Sequence, residues 1–138
     1  MRCEATGKLI TFLLSAGQES DIGLAEDLMS TGVVRRANGH LRLYPKRLVA
    51  DKGYTGQPFR KYLHQRHIRY TLPYRRNEHR QGVLNKPIYR MRNVVERLIN
   101  RLKQFRRIAT RYEKQAANFS AMITLASIYL FSNFAYRL

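Results

Sequence analysis

An apolar stripe at helical spacing constrains this chain more than any other feature. From Pro87 onward, Met91, Val94, Val95, Leu98, Leu102, Phe105 and Ile108 recur three or four residues apart. That period predicts one long amphipathic helix over 87–112, with its apolar side packed against the rest of the protein. A second helix is predicted over 116–135, where Phe119, Met122, Ile123, Ala126, Tyr129 and Leu130 repeat in the same way. Thr124, Ser127, Ser132 and Asn133 interrupt this last segment. It falls short of the 18 to 20 clean apolar residues of a membrane span, so a packed helix is expected.

The upstream half reads differently. Ile10-Thr11-Phe12-Leu13-Leu14 is a predicted strand, the second arm of a hairpin turning at Thr6-Gly7. Ser20 and Asp21 are candidate caps for a short helix over 22–29, closed by Ser30-Thr31-Gly32. Residues 35–45 read as irregular, with Asn38-Gly39 marking a turn. Arg47 to Ala50 and Ile68 to Pro73 read as strands flanking a helix over 57–67, and 75–86 as a charged loop. Strand, helix, strand, helix, strand, long helix is an α/β order. At 138 residues it is expected to form a single domain, 1–138.

Charge narrows the partner. The formal net charge is +17, and all of it lies between Leu41 and Lys114, where 21 Lys and Arg face four acids. Arg predominates, and its planar fork suits bidentate phosphate contacts. A polyanion such as nucleic acid is expected, with a solvated basic surface or a small RNA-binding protein as other readings. Arg75, Arg76, Arg80, Arg106, Arg107 and Arg111 are candidates for backbone contact. The single cysteine, Cys3, offers neither a disulfide framework nor a zinc knuckle, and no secretory pattern precedes it; a reducing, cytoplasmic setting is expected. His64 and His67 stand three apart on a predicted helix without an evident third metal ligand, and read as surface imidazoles.

Two carboxylates draw attention. Asp51 follows directly on a predicted strand and precedes Gly53, where functional groups of open α/β sheets gather; the same position suits a turn cap. Glu96 is the one acid between Arg80 and Ala109. On a continuous helix, Tyr89, Arg92, Glu96 and Lys103 fall within an arc of about 60°, away from the apolar stripe. Glu96 is then a salt-bridge partner or a metal ligand. Paired with Asp51, it would offer the oxygen donors that Mg²⁺ prefers, provided the two side chains converge.

The spacing Tyr89-x2-Arg92-x3-Glu96-x6-Lys103, with Asp51-Lys52-Gly53-Tyr54 upstream, resembles the YREK signature of DDE-type bacterial insertion-sequence transposases, in the families numbered four and five. The string from Arg90 to Tyr112, the Gly7-Lys8 turn and Gly17-Gln18 are similar to that family as well. The resemblance implies a ribonuclease-H-like fold with long C-terminal helices, whose three acids bind two divalent ions, Mg²⁺ or Mn²⁺. It implies cleavage of DNA at transposon ends and joining of the freed 3′-hydroxyl to target DNA. Carried over by position, Asp51 is the second acid and Glu96 the third, while Tyr89, Arg92 and Lys103 contact the DNA ends. The first acid belongs to a strand upstream of the Thr6-Gly7 turn, and Glu4 lies too close to that turn to supply it. These residues are therefore expected to be the C-terminal part of a transposase catalytic domain, incomplete at its N-terminal side. Such a chain is expected to be inert or nearly so alone, to self-associate, and to act alternatively as a non-catalytic DNA-binding regulator or remnant.

Overall fold

The computed structural model describes residues 1–15, 22–79 and 82–135, with side chains up to 132. The predicted caps Ser20 and Asp21, and Gly17-Gln18, lie outside the described residues, as does Arg80. The chain divides into two compact units: Met1–Arg2 with Ile10–Asn93, and Cys3–Leu9 with the residues from Val94 onward.

The expected α/β character holds. Among the described residues the strands form three two-stranded sheets. Strands β1 (Arg2–Cys3) and β2 (Leu9–Thr11) make the predicted hairpin, with Gly7 at φ +92° in its turn, a conformation open to glycine. The short helix forms as α1, Ala25–Ser30, slightly later than its pattern suggests. Gly32 follows it at φ +77°, where an added Cβ would lie 2.8 Å from Thr11 Cβ.

Residues 34–42 depart from the irregular reading. Val34–Arg35 (β3) pairs antiparallel with Leu41–Arg42 (β4), turning at the expected Asn38-Gly39. The strands are only two residues each, too short for an alternating pattern to register.

Further along, the first unit contains a strand–helix–strand element. Strand β5 (Arg47–Val49) runs parallel to β6 (Arg69–Thr71), and α2 (Gln57–Gln65) connects them, all close to their predicted bounds. Pro58 starts α2, where its missing amide hydrogen costs nothing. One face of α2 buries Phe59, Tyr62 and Leu63 against Ala25, Met29, Ile68 and Leu72, with Leu48, Ala50, Tyr54 and Tyr70 packed around them. Full burial of Phe59, Leu63, Met29, Ile68 or Leu72 contributes about 1.5–3 kcal/mol each by removal from water.

Arg2 braces this unit from within. Its side chain is buried and donates to four backbone oxygens: Leu28 at 3.4 Å, Met29 at 2.9 Å, Gly32 at 2.7 Å and Leu43 at 2.8 Å. The first three carbonyls belong to the end of α1 and the turn after it, where helical partners run out. Burial pushes the guanidinium's pKa down.

The predicted long helix over 87–112 is corrected. It is three helices: α3 (Lys86–Arg90), α4 (Asn93–Leu102) and α5 (Arg106–Ala109). Tight three-residue bonds, Met91 N to Ile88 O and Arg92 N to Tyr89 O, close α3, and Gln104 N to Arg101 O with Phe105 N to Leu102 O end α4. No Gly or Pro stands at either break, so composition gives no sign of them. The boundary between the two units also falls here, at Asn93.

In the second unit, α4 buries Leu98 and Leu102, α5 buries Ile108, and α6 (Ala116–Ala135, as predicted) buries Ile123 and Ala126. Phe105 meets Tyr129 edge-on, with ring centroids 5.9 Å apart. The outer side of α6 leaves Leu125, Ile128 and Tyr129 more than half exposed. No helix among the described residues is long and apolar enough to cross a membrane.

Candidate active site and nucleic-acid interface

Strand β5 carries the chain through Ala50 to Asp51, beyond its carboxyl end. There Asp51 caps a short 3-10 turn, Lys52–Tyr54, accepting a 2.9 Å hydrogen bond from Gly53 N through Oδ1. The turn-cap role is therefore real, and Asp51 remains exposed while performing it. Tyr54 packs its ring on the core and fixes the far end of the turn.

One residue further, a buried polar network begins that the sequence reading missed. Thr55 is fully buried and donates its hydroxyl to Glu78 Oε2 at 3.1 Å. Arg60, on α2, reaches Glu78 Oε1 at 3.1 Å, Thr55 Oγ1 at 2.7 Å and Pro73 O at 2.9 Å. The Arg75 amide adds a 3.0 Å bond to Glu78 Oε2. The guanidinium also stands 4.1 Å from the Tyr74 ring centre and 5.5 Å from that of Tyr70. Burial works against the Glu78 carboxylate, but the Arg75 amide, Arg60 and Thr55 outweigh it and hold its pKa below the usual range. Glu78 is the single acid between Asp51 and Glu96, the same isolation that singles out Glu96, so this signal was available.

Glu96 projects from α4 as an exposed residue. Lys103, exposed just past the end of α4, is seven residues on, so it lies near the same face two turns away. Tyr89 sits in α3 and Arg92 in the turn after it, its guanidinium 5.2 Å from the Tyr89 ring centre. The break at Met91-Arg92 means that the four signature residues do not share one helix, and the single-helix projection is corrected accordingly. Tyr89, Arg92 and Asp51 belong to the first unit, Glu96 and Lys103 to the second. The structure thus brings Arg92 to Tyr89, and leaves Glu96 and Lys103 two helical turns apart in the other unit.

Arg106 and Arg107, in α5, are exposed, as are Arg75, Arg76 and Arg111. Among the described residues there is no group of three or more His, Cys, Asp or Glu that could hold a metal ion. Cys3 is half-buried, and burial raises its thiol pKa, so it is a poor nucleophile.

The sequence matches the Transposase DDE domain family over residues 3–131. The chain belongs to that family. It is 29% identical over 123 residues to a putative transposase for insertion sequence element IS402 from Burkholderia cepacia. The alignment covers 88% of this chain and 56% of that relative, so the chain spans little more than half of the relative's length. No solved structure gives a significant match.

Proposed function

We propose that these residues are the C-terminal part of a single, ribonuclease-H-like catalytic domain of an insertion-sequence transposase, and that they supply two of its three acids, Asp51 and Glu96. The observation that carries this is the exposed Asp51 beyond the end of a parallel strand, inside Asp-Lys-Gly-Tyr, in a chain that also holds the full YREK spacing.

Both acids offer hard oxygen donors, the kind Mg²⁺ and Mn²⁺ take, and both are exposed. When bound, a divalent ion supplies Lewis-acid stabilisation of charge on the scissile phosphate. The chain's residues do the holding. Asp51 keeps one oxygen on its own turn, which fixes the orientation of the carboxylate. Tyr89, Arg92, Lys103, Arg106 and Arg107 position the DNA backbone. Two carboxylates grip two cations less firmly than three, so these residues alone are inert or nearly so. The partners are transposon ends and target DNA in the bacterial cytoplasm, together with further copies of the chain or of the full-length transposase.

Strand transfer on DNA bearing element ends, with Mg²⁺ or Mn²⁺, tests the proposal. The chain alone gives no product; mixed with a segment carrying the upstream acid it gives product that Glu96→Gln abolishes. Product formation indifferent to Glu96→Gln overturns it. A second reading, a non-catalytic DNA-binding regulator, draws on the excess of +17 and on the lack of a three-ligand cluster among the described residues. Repression of transposition by the chain, without complementation, selects that reading.

A further inference from the structure

The parallel pairing of β5 and β6 sets Arg47 opposite Arg69. Adjacent strands lie about 4.8 Å apart, so these side chains leave the sheet as neighbours, and like charges so placed repel. Both are exposed, and both line an open-sided surface cavity of about 610 Å³ together with His64, His67, Asn85 and Tyr70. Among the described residues, no carboxylate lines the cavity. Among the described residues, none of Arg47, Arg69, His64 and His67 forms an ion pair. His67 is held at φ +54°, in the left-handed region that non-glycine residues seldom occupy, at the turn that follows α2. Cations gathered without a counter-charge, in a volume larger than a lone phosphate group needs, call for an anion with a body attached.

We propose that this cavity binds a phosphodiester unit of a nucleic-acid strand, through Arg47 and Arg69 and with His64, His67 and Asn85 as further donors. The site is not the one at Asp51. Arg47 opens β5 whereas Asp51 follows its far end, about 13 Å away along the strand. The strand–helix–strand element therefore presents one nucleic-acid contact at each end. A strand held at the Arg47 end is a different segment of DNA, or a different part of the same duplex, from the one presented to the acids.

The proposal rests on the reading above only in taking the polyanion to be DNA. Binding of a fluorescent random-sequence duplex is measured in EDTA across a salt series, so loss of metal chemistry at Asp51 and Glu96 leaves the result intact. Double replacement R47Q/R69Q lowers the slope of log affinity against log salt by about 1.8, one contact per lost cation. Asp27→Asn, at an exposed position of α1, leaves the slope unchanged. An unaltered slope in R47Q/R69Q overturns the site. Thermal melting guards against misfolding: removing the cross-strand repulsion keeps or raises the midpoint in R47Q/R69Q, and a midpoint that collapses shows the arginines to be structural and overturns the proposal. The ring resonances of His64 and His67 shift on adding duplex, and lose that shift in R47Q/R69Q. If inorganic phosphate alone shifts them as far at equal phosphate concentration, the site is one for small anions and the assignment to a nucleic-acid strand fails.

Discussion

Arg60 and Glu78 form a 3.1 Å ion pair with side chains only 4% and 9% exposed, tying α2 to the loop beyond β6. Every oxygen of the carboxylate is used, and the guanidinium also satisfies Thr55 and Pro73. Removing one member strands the other in a low-dielectric interior. Glu78→Gln or Arg60→Met is expected to cost about 3 kcal/mol, read from urea unfolding. Replacing both with apolar residues costs less than either single change, because no buried charge is left over.

The same pair sets a pH dependence. The folded-state pKa of Glu78 is lowered, so its stabilisation is complete above the ordinary carboxylate range near 4.3 and drains away as pH falls through the lower folded value. Unfolding midpoints of the native chain should drop between about pH 5 and the acid limit. In Glu78→Gln that part of the acid slope is missing, and an identical slope in both proteins counts against the assignment.

Asp51 performs two roles that a single substitution separates. Asn caps a turn about as well as Asp. Asp51→Asn therefore changes stability by no more than about 0.5 kcal/mol, whereas Asp51→Ala costs about 1 kcal/mol. Mn²⁺ affinity, measured by electron paramagnetic resonance, falls in Asp51→Asn and in Glu96→Gln. If the two carboxylates share an ion, the double variant loses little more than either single one. Strictly additive losses would place them at separate ions.

On α6, Leu125, Ile128 and Tyr129 lie three and four residues apart and share one exposed face. Leu125→Lys with Ile128→Lys is expected to lower the average mass of concentrated protein in sedimentation, without lowering the melting midpoint, since neither side chain is buried in the fold.

Much of the fold was legible because its signals are local. The Thr6-Gly7 hairpin, β5, α2, β6 and α6 follow from turn residues, β-branched runs and helical periods. What escaped depends on contacts between distant residues. The stripe from Met91 to Ile108 keeps helical spacing across two breaks, since a single tight turn shifts the phase too little to disturb it, and no Gly or Pro marks them. The β3–β4 hairpin has two-residue strands that no period can reveal. Arg60 counts among the cations of the basic block, yet it is buried and spent on the fold, as is Arg2 outside that block. At the candidate site, the position of Asp51 after a strand was readable, whereas its bond to Gly53 and the Thr55–Arg60–Glu78 network behind it required coordinates.

Arg2 has a consequence for how the first unit assembles. Its partners begin 26 residues downstream, at Leu28, and end 41 residues downstream, at Leu43. The full set of acceptors for the guanidinium therefore exists only once the chain through Leu43 is in place. One side chain thereby ties the first strand to segments as far on as Leu43, making the start of the chain and the α1 region parts of one cooperative unit.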